Sequence, residues 1–301
     1  MPPQSIDEVL TRLDEIIAEA RRRQSRNGYF AALYRDVTAR VDAAVEAGEF
    51  KDDARMERLD VAFAQRYFDA LEERDTEAGP PRSWARTFEA AERWRPLILQ
   101  HLLLRVSTHI NLDLGITAVE MVPGDEIADL KADFYRINRI LGAMIEEVQA
   151  RISRVSPWTE VLDRLGGTAD EVINNFCLVR AREDARDVAR TLAPLDADQR
   201  AQLIRAKDRE TAQRTDAILR SGRVWIVPAL VGIRLWEEDH VPSVIAALSS
   251  TGAAPVLRRN AARFEIQKRP GKRDETPPGR HPPPQSRQAP HNTPATSSQW
   301  R

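Results

Sequence analysis

The 301-residue chain carries 45 Lys+Arg against 46 Asp+Glu, a formal charge of -1, and hydrophobic residues make up 42% of it. That apolar share is enough to build a core, and the cancelling charge leaves no field of one sign to draw in nucleic acid or a membrane surface. Lysine occupies only five positions, so 40 of the 45 basic residues are arginine, a bias that fits GC-rich coding and does not by itself point to an anionic ligand.

The chain begins MPPQSIDEVLTRLDEII. It lacks the basic stretch, apolar run and small-residue cleavage site of a signal peptide, so the cytoplasm is the expected location. Ser5-Ile-Asp-Glu8 reads as a capping box, and Ile6, Val9, Leu10, Leu13, Ile16 and Ile17 follow at helical spacing. This predicts a first helix to about Arg23. A second helix should follow the Asn27-Gly28 turn, with Phe30, Leu33, Tyr34, Val37, Val41 and Val45 on one stripe and Gly48 ending it. Met56, Leu59, Phe63, Tyr67 and Leu71 mark a third, about 52–74, and Ser83 is placed to cap a short fourth that stops before Pro96.

The longest apolar stretch, 97–122, predicts a central buried helix closed by Pro123-Gly124. Asp125 is placed to cap the next helix, which reaches Val148. After a short helix from Pro157, Thr168-Ala-Asp-Glu171 forms a second capping box for a helix to about Leu192. Helices near 196–220, 224–236 and 242–248 complete the pattern. Strand signals, fixed repeats and glycine-rich phosphate loops are missing. The expected fold is therefore all-α: one multi-helix bundle over 1–267 and a disordered tail over 268–301. The tail holds eight of the 19 prolines and seven Arg/Lys beside two acids, a composition that cannot bury enough surface to fold alone. Cys177, the only cysteine, lies in an apolar helical run and reads as a buried inert thiol.

The chemistry-bearing residues gather in the central stretch. At 100° per residue, His101, Arg105, His109 and Asp113 form one row on a helix that is otherwise apolar. Buried ionisable groups must be paired or ligated. His109 and Asp113, four apart, are able to touch. Either Asp113 orients His109 as a general base, or the pair binds a divalent metal with His101 and Asp133 as further ligands. Asp60, Asn111, Asn138, Asn175 and Arg180 supply polar support in apolar surroundings, and a purely structural network would use the same residues. No HExxH or GxSxG sequence is present, and Glu-x-x-His occurs once, at Glu237-Glu-Asp-His240, where a ferritin-like di-iron site needs it on two helices.

His101-Leu-Leu-Leu, His109-Ile-Asn-Leu-Asp-Leu-Gly115 and Asp133-Phe with Ile137-Asn138 resemble a bacterial family known only as a domain of unknown function. Arg58-Leu-Asp-Val-Ala-Phe-Ala64 and Leu162-Asp-Arg-Leu-Gly-Gly167 fit the same pattern. The resemblance covers roughly 6–250 and implies a single all-helical domain with no activity to carry over. The H-x-x-x-D pair is also similar to one element of zinc-dependent, phospholipase C-like helical enzymes, whose other ligand motifs are not evident here. The functional expectation is a metal-dependent hydrolase centred on His109 and Asp113. The alternative is a non-catalytic protein that binds a small molecule or another partner and whose polar core is structural.

Overall fold

The computed structural model describes residues 1–122, 130–158, 188–189, 191–220 and 227–249. Every regular element among them is helical. They are α1 (Ile6–Arg23), α2 (Asn27–Glu46), α3 (Asp53–Glu73), α4 (Arg82–Ala91), α5 (Ile98–Thr108), a π-helical segment (His109–Leu114), α6 (Gly115–Met121), α7 (Leu130–Ser153), α8 (Ala197–Arg220), α9 (Val227–Trp236) and α10 (Val241–Ser249). All belong to one compact unit, Met1–Ala261. The expected tail at 268–301, the Thr168 capping box, Cys177, Asn175 and Arg180 lie outside the described residues.

Local signals explain most helix ends. Ser5 Oγ accepts from Glu8 N at 3.3 Å, but Glu8 reaches Gln4 N at 2.8 Å instead of closing the box on Ser5. Asp52 caps α3 by accepting from Arg55 N at 2.9 Å. Gly48 follows α2 at φ +67°, the left-handed stop that glycine adopts without penalty.

Two expectations fail for reasons of packing. Asn27-Gly28 is not a turn before α2 but its first two residues. A Cβ on Gly28 would lie 2.6 Å from both Ala20 Cβ and Ile245 Cδ1, so the glycine lets α1 and α10 close on α2. Ser83 does not cap α4 either. Asp208, from α8, accepts from Arg82 N (2.9 Å), Ser83 N (2.9 Å) and Ser83 Oγ (2.7 Å). A carboxylate at the positive end of a helix is favourable there, and this one comes from far along the chain.

α5 begins in the same way. Glu237 is 6% exposed and accepts from Ile98 N at 3.1 and 3.2 Å and from Ser156 Oγ at 2.7 Å. Burial pushes its carboxyl up to about 7, against the pull of these donors.

α2 and the α5–π–α6 run form the middle of the bundle. α2 contacts α1, α3, α5, α7 and α10, while α4 and α8 pack on α5, and α3 lies against the π segment and α6. The central run is buried almost throughout, as the sequence implies. Its departure from a regular helix was not anticipated. A π-helix bonds i→i+5 and widens the turn, which leaves carbonyls at its edges short of a backbone partner. Side chains donate to two carbonyls near the ends of the segment. Asn111 Nδ2 donates to Ser107 O at 2.8 Å, and Thr117 Oγ1 donates to Asp113 O at 2.9 Å.

Replacing Gly28 with alanine should destabilise the protein by about 1–3 kcal/mol, because Ala20 Cβ has no freedom to move aside. Urea unfolding of wild type and Gly28→Ala would measure the difference. An unchanged midpoint would mean that α1 and α10 have slack against α2.

Candidate functional site

His109 opens the π segment and Asp113 sits four residues on, in the widened turn. His109 is 2% exposed and Asp113 3%. The imidazole Nδ1 lies 2.8 Å from Asp113 Oδ2. The same oxygen accepts from Trp84 Nε1 at 3.0 Å. A carboxylate oxygen only accepts, so Nδ1 carries the proton and Nε2 is left with its lone pair. Nε2 is buried and has no hydrogen-bond partner. Burial holds the His109 pKa below the ordinary 6.5, with the Asp113 hydrogen bond and charge acting in the opposite direction.

Rings enclose the imidazole. Phe63 stacks on it at a centroid distance of 3.7 Å and an interplanar angle of 7°. Tyr34 meets it edgewise at 5.1 Å and Phe30 at 5.9 Å. Burial raises the Tyr34 hydroxyl well above its usual range, and the negative charges of Asp60 and Asp113 raise it further. Asp60 lies on α3 one turn before Phe63. Its Oδ2 is buried without a partner, and burial, then Asp42, lifts its carboxyl to about 7.

His109, Tyr34, Phe30 and Phe63 form the aromatic end of a cavity of about 160 Å³ between α2, α3, α5, the π segment and α7. Aliphatic side chains from α5 and α7, among them Leu102, Val106, Leu141 and Val148, make up most of the remaining wall. His109 is the one imidazole in that wall, and no lysine or arginine is among its described residues.

The other expected ligands are elsewhere. His101 precedes His109 by two helical turns, roughly 12 Å along the axis. It lies edge-on to Tyr29 at 6.0 Å with both ring nitrogens buried and unpartnered. Burial and then Arg105, Arg26 and Arg234 hold its pKa well below the ordinary value. Asp133 is spent on the loop before α3, accepting from Lys51 N and Arg55 Nη2, each at 2.7 Å. Asn111 accepts from Arg214 Nη1 at 3.0 Å. Asn138 is half-buried on α7 and takes no part in the cavity wall. Among the described residues, no group of three or more His, Cys, Asp or Glu side chains is arranged to hold a metal ion. Arg105, fully buried, donates to Asn27 Oδ1 and to the carbonyls of His101 (3.3 Å) and Thr87 (3.5 Å).

Trp84 is a site residue that the sequence pattern does not single out: its indole N–H anchors Asp113. The available signal was general: a buried tryptophan needs an acceptor. Glu237 was hidden in the run Trp236-Glu-Glu-Asp239, which looks like a solvated turn.

Two outcomes follow from this geometry. Both donors meet one oxygen of Asp113, so the amide oxygen of Asp113→Asn should replace it and keep the proton on Nδ1. With the charge gone, the His109 pKa should fall further, as nitrogen-15 NMR titration would record. A switch to the Nε2–H form would show that the shared-oxygen geometry is wrong. The second concerns acid stability. His101 and His109 are held neutral below their ordinary 6.5, so the unfolded chain binds protons that the fold refuses. Their contribution is complete above about pH 6.5 and is lost as pH falls below it. His101→Phe removes one such group and two unpartnered nitrogens. It should raise Tm by roughly 2–4 °C at pH 7 and flatten the loss between pH 6.5 and 5. A lower Tm with an unchanged slope would refute this.

No helix among the described residues is long and apolar enough to cross a membrane. Neither a curated protein nor a solved structure matches the chain. A family model does match, over residues 6–221. The span contains α1 to α8, the HINLDLG string with the His109–Asp113 pair, and the Trp84 that holds it. The chain thus belongs to a family of unknown function, DUF5995.

Proposed function

We propose that this protein binds a small, largely apolar molecule in the cavity beside His109, with one polar group of that molecule meeting the imidazole. The observation that carries this reading is a buried Nε2 without a partner, on a histidine that lines a largely apolar cavity. A buried polar atom left unpaired costs about 1–3 kcal/mol. A ligand that supplies the missing hydrogen bond recovers that loss, and its apolar body gains by burial against aliphatic and aromatic side chains.

The Asp113–His109 pair also supports a catalytic reading. With Nδ1–H fixed by the carboxylate, Nε2 is placed to take a proton from a bound group, as a general base does. The metal-dependent hydrolase expected from the sequence needs at least one further donor. His109 and Asp113 spend Nδ1 and Oδ2 on each other, and His101 and Asp133 are engaged at other points of the bundle. Our reading therefore carries the dyad as a binding and proton-accepting element.

Val106 lines the cavity and is half-buried, so Val106→Phe should fill it. The full chain should bind 4-methylphenol or toluene saturably. At a hundredfold excess over Kd the gain is about 2.7 kcal/mol, a rise in Tm of several degrees. The Val106→Phe variant should stay folded and lose that rise. Wild type that binds neither ring would sink the proposal.

A further inference from the structure

The same cavity carries information about the charge and donor character of its ligand. We propose that the ligand is a neutral, single-ring hydroxyl compound of the phenol type, whose O–H donates to His109 Nε2; this rests on the cavity reading above.

Nε2 is an acceptor. Asp113 takes the Nδ1 proton, so the ring has no second N–H to offer a carbonyl or an ether oxygen. The ligand must bring the proton. Charge narrows the choice further. The chain has 40 arginines, yet no cation lies among the described wall residues. Acids stand close to the aromatic end: Asp113 behind the imidazole, and Asp60 one turn before Phe63, with its Oδ2 buried and unpartnered. A carboxylate or phosphate ligand would lose its hydration and meet repulsion with no counter-ion. An ammonium would lose its hydration in a wall that holds, among its described residues, no carboxylate to pair with it. A hydroxyl can donate to Nε2 and accept from the Tyr34 hydroxyl, which is likewise buried without a partner in the same wall.

Size and shape select a ring. A cavity of roughly 150 Å³ lined by aliphatic and aromatic side chains holds a benzene, and this one is about 160 Å³. Phe30, Tyr34 and Phe63 stand around the acceptor, where an aromatic ligand gains edge and offset contacts that an alkyl chain does not. The O–H of a phenol is also a stronger donor than that of an alkanol.

The test uses three probes that share one methylated ring: toluene, 4-methylphenol and 4-methylbenzoate. Each is titrated into the full chain, with calorimetry for affinity and nitrogen-15 NMR for His109. We expect 4-methylphenol to bind about tenfold more tightly than toluene, the worth of one hydrogen bond, and 4-methylbenzoate to bind more weakly than either. The His109 Nε2 resonance should move with 4-methylphenol and stay with toluene. In His109→Phe, 4-methylphenol should fall to the affinity of toluene; if that variant does not fold, the nitrogen-15 shift in the unaltered chain decides. Equal affinities for toluene and 4-methylphenol would overturn the donor assignment and leave the cavity reading intact. Tightest binding by 4-methylbenzoate would overturn the charge argument. Binding of no ring would overturn both proposals.

Discussion

One oxygen of Asp113 holds two partners, the imidazole of His109 and the indole of Trp84. Through it α4 is tied to the central helical run, and the tautomer of the histidine is set. Removing the carboxylate without replacing its oxygen would strand two N–H groups in the interior at once. Each orphan costs about 1–3 kcal/mol, a sizeable share of the 5–15 kcal/mol by which domains are stable. The π segment belongs to the same arrangement. It carries both His109 and Asp113, and Asn111 and Thr117 donate to backbone carbonyls near its two ends.

Around this centre the bundle separates two uses of buried polarity. Asp133, Arg105 and Arg151 bind helices and loops together. Asp133 holds the loop before α3, Arg105 spans α2 and α4, and Arg151 reaches Leu248 O at 2.9 Å and Asp36 at 3.0 Å. Their hydrogen bonds are directed at other parts of the protein. His109 differs: one nitrogen is fixed and the other faces no protein acceptor or donor.

The helices were legible because their periodicity is local. α1, α3 and α8 begin and end within a residue or two of where capping residues, glycine and proline place them. The buried central stretch was legible from its composition, and the His109–Asp113 contact from spacing alone. What escaped depends on the third dimension. No pattern in 97–122 announces a π turn, because the extra residue is accommodated by neighbours. Asn27-Gly28 has the composition of a turn, but contact with Ala20 and Ile245 decides its role. His101, Asp133 and Asp113 look equivalent in one dimension. Only packing separates a ring pressed against Tyr29, a carboxylate spent on Arg55 and one that serves a histidine.

Two helices near the centre, α4 and α5, take their N-terminal caps from Asp208 and Glu237, and these bonds bridge 125 to 139 residues. During synthesis the ribosome would deliver both helices well before their caps. At about 5–20 residues per second the wait is roughly 6–28 s. For that interval the first turns of α4 and α5 have exposed amides, and Trp84 lies in one of them. The loop-closure entropy of joining such distant segments must be overcome before the caps form. The first turns of α4 and α5 are thus completed by residues that are translated long after them.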